Sequence, residues 1–174
     1  MNLTEEVKTK IRDVPDFPKK GILFKDITPL LQDRVIFAKI IDCFGERYVG
    51  KKIDCIVGIE SRGFLFGAAL AYRLGTSLVP VRKSGKLPYK SIQTSYDLEY
   101  GTASVEMHID ALKQGDRVVI IDDLLATGGT ASAACELVEK LRGEVVECAF
   151  VVELNFLKGR DKLKGREVFS LVEY

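Results

Sequence analysis

The sequence predicts an α/β fold, a central and mainly parallel sheet flanked by helices. Two observations carry this. Short apolar runs rich in β-branched residues (Ile53 to Ile59, Ser77 to Val81, Val118 to Ile121, 145 to 152) read as buried strands, and amphipathic helical stretches separate them. In addition, three segments able to meet a ligand follow directly on such strands: Gly58 to Gly63, the basic stretch after Val81, and Asp122-Asp123 with its glycine turn. Open parallel sheets bind ligands at the carboxyl ends of their strands.

The elements follow in order. Leu3, Val7 and Ile11 recur every four residues and predict a short amphipathic helix. Residues 13 to 29 hold three prolines and a glycine and read as loop. Asp33 is placed to cap a helix with Ile36, Ile40, Ile41, Phe44 and Tyr48 on its apolar face. Residues 62 to 74 form the next helix, stopped by Gly75. Residues 82 to 95, polar and broken by Gly85 and Pro88, read as a mobile loop. Tyr96, Leu98 and Tyr100 alternate, as do Ala103, Val105, Met107 and Ile109; with Gly101 between them they suggest a hairpin. A helix near 130 to 142 and a last strand near 167 to 172 complete the chain.

A length of 174 residues suits one domain. With 47% hydrophobic and 29% charged residues the chain has the balance of a soluble globular protein, and a net charge of +1 gives no bulk case for nucleic acid. The amino-terminal MNLTEEVKTK is too polar for a signal peptide, and no apolar run approaches the roughly 20 residues needed to span a bilayer. The cysteines at 43, 55, 135 and 148 form no C-x-x-C pair and lie in apolar segments, which fits free thiols in a reducing, cytoplasmic setting without membrane partners.

The segment Val118 to Thr130, VVIIDDLLATGGT, poses the central chemical question. Ala126, Thr127, Gly128, Gly129 and Thr130 form a strand-to-helix turn whose N–H groups, hydroxyls and helix dipole suit a phosphate. A plain turn with threonine caps is the bland alternative. Asp122 and Asp123 would repel that phosphate but could accept hydrogen bonds from vicinal hydroxyls, or hold Mg²⁺ through water. Alternatively, one is exposed and the other caps the next helix. A sugar phosphate accounts for both halves. Gly58-Ile59-Glu60-Ser61-Arg62-Gly63 offers N–H groups, a hydroxyl and a guanidinium for a second phosphate, although an arginine at a solvated helix start explains it equally well. From Arg82 to Lys90 there are four cations in nine positions, either a solvated loop or a lid that closes on an anion. Glu99 is a candidate general base or simply a polar strand residue; the lone His108 has no assigned role. Phe17 and Phe24 could plug the core.

Together these segments resemble the type I phosphoribosyltransferases. The Val118–Thr130 motif alone specifies only that superfamily. The DFP and GILFKDITP segments, with Leu98-Glu99-Tyr100-Gly101, resemble its adenine-using branch. The blocks run from about residue 14 to 130 in the family's order, and Leu157-Lys158-Gly159-Arg160 extends the match. The resemblance implies one phosphoribosyltransferase domain over 1–174, with a small amino-terminal hood at about 13–31 and a flexible lid at about 82–100. It implies Mg²⁺-dependent transfer of 5-phosphoribosyl from phosphoribosyl pyrophosphate to N9 of adenine, giving AMP and pyrophosphate in purine salvage, by a homodimer. By the same resemblance, Ala126, Thr127, Gly128, Gly129 and Thr130 hold the 5′-phosphate, and Asp122 and Asp123 hold the ribose hydroxyls. Ser61 and Arg62 face the pyrophosphate in a turn that often contains a cis peptide; Arg82, Lys83 and Lys86 help bind the leaving group. Leu23 and Lys25 read the base through backbone groups, Phe24 and Leu124 sandwich it, and Glu99 accepts the N9 proton. Mg²⁺ has no direct protein ligand and is held mainly by substrate and water. The chain departs from the usual pattern at Lys20, Lys25 and Tyr89-Lys90. A 6-oxo purine, xanthine or orotate is the alternative base. A non-catalytic regulator that binds nucleic acid is the alternative class, and it would need a broad basic face or an added helix-turn-helix.

Overall fold

The computed structural model describes residues 1–97 and 101–174. The chain forms two compact units, Met1–Arg47 and Tyr48–Tyr174.

The first unit begins with helix α1 (Leu3–Lys10), closed by a reciprocal cap: Asn2 Oδ1 accepts from the Glu5 N–H at 2.9 Å, and Glu5 Oε2 accepts from the Asn2 N–H at 3.0 Å. The stretch expected to be loop instead contains an antiparallel ribbon, β1 (Arg12–Pro15) with β2 (Leu23–Asp26). Its prolines sit where they do no harm. Pro15 ends β1, Pro18 follows a cis bond in the connection, and Pro29 falls in the first turn of α2 (Thr28–Gln32). Asp16 Oδ1 accepts from the Gly21 N–H at 2.7 Å, and this bond closes the connection. Helix α3 (Arg34–Tyr48) starts as expected: Asp33 Oδ1 accepts from the Val35 and Ile36 N–H groups at 3.1 Å.

The second unit is a seven-stranded sheet in the order β5-β6-β4-β3-β7-β8-β9. Strands β3 (Cys55–Ile59), β4 (Ser77–Lys83), β7 (Arg117–Leu125), β8 (Glu144–Glu153) and β9 (Val168–Glu173) are mutually parallel. All five residues of β3 are buried, as its unbroken apolar run requires. Helix α4 (Gly63–Leu74) ends at Gly75 in the left-handed conformation, and α5 (Gly129–Lys140) packs over the cluster that includes Val57, Val81, Ile120, Leu137, Cys148 and Phe150. Two 3₁₀ turns, Asn155–Leu157 and Gly159–Leu163, connect β8 to β9.

Residues 82 to 95 differ from the expected loop. Arg82 and Lys83 finish β4 and pair with Glu106 and Val105. The hairpin is longer than its aromatic alternation suggested: β5 (Ser91–Asp97) pairs with β6 (Thr102–His108) along its whole length. Ser91, Gln93 and Ser95 look like loop residues, but they alternate with Ile92, Thr94 and Tyr96, and it is the alternation that decides. The turn between β4 and β5 is held from inside. Glu106, 5% exposed, accepts from the Lys86 and Leu87 N–H groups at 2.8 Å and from Ser91 Oγ at 3.0 Å.

Candidate functional site

The carboxyl ends of β3, β4 and β7 meet at one cleft. It measures 540 Å³ and is lined by Glu60, Ser61, Arg62, Lys83, Lys86, Asp122, Asp123 and Leu124. A smaller recess of 80 Å³ adjoins it, lined by Asp122, Leu124 and the turn Leu125 to Ala131, with Phe150 behind. The sequence-predicted residues of the second unit that fall within the described residues are therefore gathered, apart from Arg82, whose guanidinium lies beside the cleft on Glu60.

The turn at the smaller recess depends on glycine. Gly128 caps α5 with φ +79°, and a Cβ there would collide with the Gly159 carbonyl oxygen. No side chain caps α5, so the two threonines are not its caps. Gly159 is held beneath the turn by its neighbour: Arg160 Nε and Nη2 donate to the two Glu153 oxygens at 2.7 Å, and Ser170 Oγ donates to Glu153 at 2.6 Å. This is the structural content of the Leu157–Arg160 block.

Asp122 and Asp123 face the same cleft but differ in setting. Asp123 is buried and its Oδ2 lies 2.6 Å from Arg62 Nε. Asp122 Oδ1 accepts from the Asp123 N–H at 2.9 Å. Burial first, and the neighbouring Asp123 charge second, push the Asp122 carboxyl well above the usual carboxylate range. Neither caps α5. Gly63 makes their approach possible, since a Cβ on it would stand 2.8 Å from the Ile121 oxygen and 2.9 Å from Asp122 Oδ1.

The Glu60–Ser61 peptide bond is cis. Glu60 gathers the neighbouring cations. It accepts from Lys86 Nζ at 2.9 Å, from the Lys83 N–H at 2.9 Å and from Arg82 Nε and Nη2 at 3.3 Å. Burial alone would raise its pKa; these bonds outweigh it and bring it down to about 2. Sequence reasoning gave Glu60 no role. The available signal was a carboxylate between a buried strand and Ser61-Arg62, close to a cluster of cations.

In the first unit, Leu23, Phe24 and Lys25 lie on β2. Phe17 and Phe24 pack edge to face at 5.1 Å and do not plug the core: Phe17 is 51% exposed. With Val14 and Asp26 they line a cleft of 260 Å³ with an apolar wall. Lys25 Nζ lies 2.6 Å from Asp13, its register partner on β1. Glu99, with Leu98 and Tyr100, lies outside the described residues. Among the described residues no group of three or more His, Cys, Asp or Glu side chains is gathered for a metal.

A parallel sheet with paired aspartates and a glycine turn at its carboxyl edge fits a phosphoribosyl transferase domain, and the family model of that description matches residues 28–172. The chain is 60% identical to the adenine phosphoribosyltransferase of Syntrophotalea carbinolica over 170 residues, 98% of this chain and 99% of that one. The crystal structure of adenine phosphoribosyltransferase from Thermoanaerobacter pseudethanolicus superposes with a TM-score of 0.96 at 55% identity, covering 99% of this chain and 100% of that one. The Saccharomyces cerevisiae enzyme, solved with an imino-altritol bisphosphate and adenine, gives 0.93 at 47% identity over 97% and 98%. The chain belongs to the adenine phosphoribosyltransferases, pentosyltransferases of purine salvage.

Proposed function

We propose that the cleft at β3, β4 and β7 binds 5-phosphoribosyl pyrophosphate and that the chain transfers its phosphoribosyl group to N9 of adenine, releasing AMP and pyrophosphate. The observation that carries this reading is the convergence of an aspartate pair and a cationic cluster on one cleft, with a glycine turn on the recess that adjoins it, in the order phosphate, sugar, pyrophosphate. The N–H groups of Ala126 to Thr130 and the Thr127 and Thr130 hydroxyls hold the 5′-phosphate. Asp122 and Asp123 accept from the ribose hydroxyls. Ser61, Arg62, Arg82, Lys83 and Lys86 hold the pyrophosphate. As it departs, positive charge develops on the ribose ring and negative charge on the leaving group. The cations meet the second, and each such preorganised contact typically contributes about 3 kcal/mol.

Mg²⁺ fits this site through oxygen. Asp122 and Asp123 offer carboxylates to its water shell, and the substrate's oxygens supply the rest. When bound, the ion adds charge neutralisation at the leaving group. Leu23 and Lys25 read adenine through backbone groups, with Phe24 against the ring. A backbone N–H and C=O pair matches the N1 acceptor and amino donor of adenine, whereas a 6-oxo purine presents the reverse pattern. Glu99 accepts the N9 proton. Cytoplasmic residence is supported by four free thiols and by the lack, among the described residues, of any helix long and apolar enough to cross a membrane. The partner is a second copy of the chain, meeting it at the exposed Leu65 and Tyr72, seven residues apart on one face of α4.

The test is a base panel. Protein, Mg²⁺ and phosphoribosyl pyrophosphate are mixed with adenine, hypoxanthine, guanine, xanthine or orotate, and the nucleotides are separated by chromatography. AMP from adenine alone, lost with EDTA and restored by Mg²⁺, is the expected result. Turnover of a 6-oxo base would overturn the reading of β2.

A further inference from the structure

We propose that Tyr96 is a positioning residue for the 5′-phosphate turn, holding Thr130 in place and carrying occupancy of the turn to the hairpin arm that leads toward Glu99. This rests on the reading of residues 126–130 as the phosphate site.

The geometry is specific. Thr130 Oγ1 and Tyr96 Oη are hydrogen-bonded at 2.9 Å, with the threonine donating. The edge of the Tyr96 ring stands 2.8 Å from where a Cβ on Gly129 would be, so the ring packs directly on the first residue of α5. The arm is fixed to the same helix a second time: Lys140 Nζ, on the last residue of α5, donates to Thr94 Oγ1 at 2.7 Å. Thr94 and Tyr96 are two apart on β5 and share a face; Thr94 is 6% exposed, and Ile92 and Tyr96 pack on the core cluster. β5 therefore lies across α5 and is bonded near both helix ends.

The chemistry of the pair makes it responsive. Each hydroxyl carries one hydrogen and has lone pairs to accept with. A phosphate oxygen arriving at Thr130 is a stronger acceptor than a phenol, so Thr130 turns its hydrogen to the phosphate. Tyr96 then turns its own hydrogen into the lone pair of Thr130 Oγ1. The bond reverses with no proton transferred and no heavy atom displaced. The resulting chain, phenol to threonine to phosphate, is polarised along its length and stronger than the bond it replaces. By linkage, phosphate holds the arm against α5, and the docked arm tightens phosphate.

The experiment measures Kd for ribose 5-phosphate, with inorganic pyrophosphate as the control ligand, in the wild type, Tyr96→Phe, Thr130→Val and the double variant. Tyr96→Phe keeps the ring and removes only the hydroxyl. Expected is a rise of about five- to tenfold in Kd for ribose 5-phosphate, the size of one hydrogen bond in a charged chain, with pyrophosphate unchanged. In the Thr130→Val background the same change should add less than about twofold, the sign of a shared interaction. Ribose 5-phosphate should also slow amide exchange along β5 in the wild type and not in Tyr96→Phe. If Thr130→Val weakens ribose 5-phosphate but Tyr96→Phe does not, the proposal falls and the phosphate reading survives. If Thr130→Val has no effect, both fall. If Tyr96→Phe weakens both ligands equally, Tyr96 supports the fold only and the proposal is overturned.

Discussion

At the scale of single residues, the chemistry turns on carboxylates in unlike settings. Asp122 is pushed up by burial and by Asp123, whereas a ribose hydroxyl donates more strongly to the ionised carboxylate than to the protonated one. Affinity for ribose 5-phosphate should therefore rise as pH climbs through the raised Asp122 value and level off above it. Asp122→Asn should remove that step, and calorimetric titration of the two proteins side by side isolates it from the ligand's own phosphate ionisation. Glu99 is tested by rate. As acceptor of the N9 proton, its change to Gln should lower kcat by well over tenfold; a loss below about threefold, under ~1 kcal/mol, would remove it from the reaction. Of the residues in the cleft, the aspartate pair and the two glycine turns were legible in the sequence because each follows an apolar strand directly. Glu60, and Glu106 and Tyr96 outside the cleft, were not. Each acts through a partner between 22 and 34 positions away or through the turn 86–91, and no local pattern reports such a pairing.

At the scale of elements, two junctions hold the cleft in shape. One is the packing of the 126–130 turn on Gly159. Gly128→Ala would impose a strained φ and push a methyl into that carbonyl, so we expect loss of about 1–3 kcal/mol of stability and at least a tenfold weaker hold on ribose 5-phosphate, read by thermal unfolding and calorimetry. The other junction is the Glu60 cluster, which ties the β3–α4 turn to the end of β4. The Glu60 pKa falls from an ordinary 4.5 to about 2 in the folded protein. A lowered carboxylate pKa adds stability above the unfolded value, and that stability is lost as pH falls through the folded one. The acid limb of the stability curve should therefore steepen between pH 4.5 and about 2, and Glu60→Gln should flatten it in denaturant titrations. The strand content of 91–97 shows why this region misreads. Serine and glutamine on the solvent side mask a pairing that β6 imposes.

At the scale of the whole molecule, Leu65 and Tyr72 on α4 are 47% and 91% exposed, and under the proposed dimer a second copy covers them. Sedimentation should give a dimer for the wild type and a monomer for Tyr72→Glu; a wild-type monomer would remove the dimer from the account. By itself the sequence determined the class of fold, the parallel strands with the helices between them and the ligand-facing segments after β3 and β7, because period, capping and glycine turns are local properties. It also carried the family, through the blocks around Phe24, Glu60 and Asp122. The tertiary structure alone decided the β1–β2 ribbon, the docking of β5 on α5, and the pairing of Arg62 with Asp123 and of Arg82 and Lys86 with Glu60. Those are contacts between residues distant in the chain, fixed by sheet order and by the need of buried charges and hydroxyls for partners.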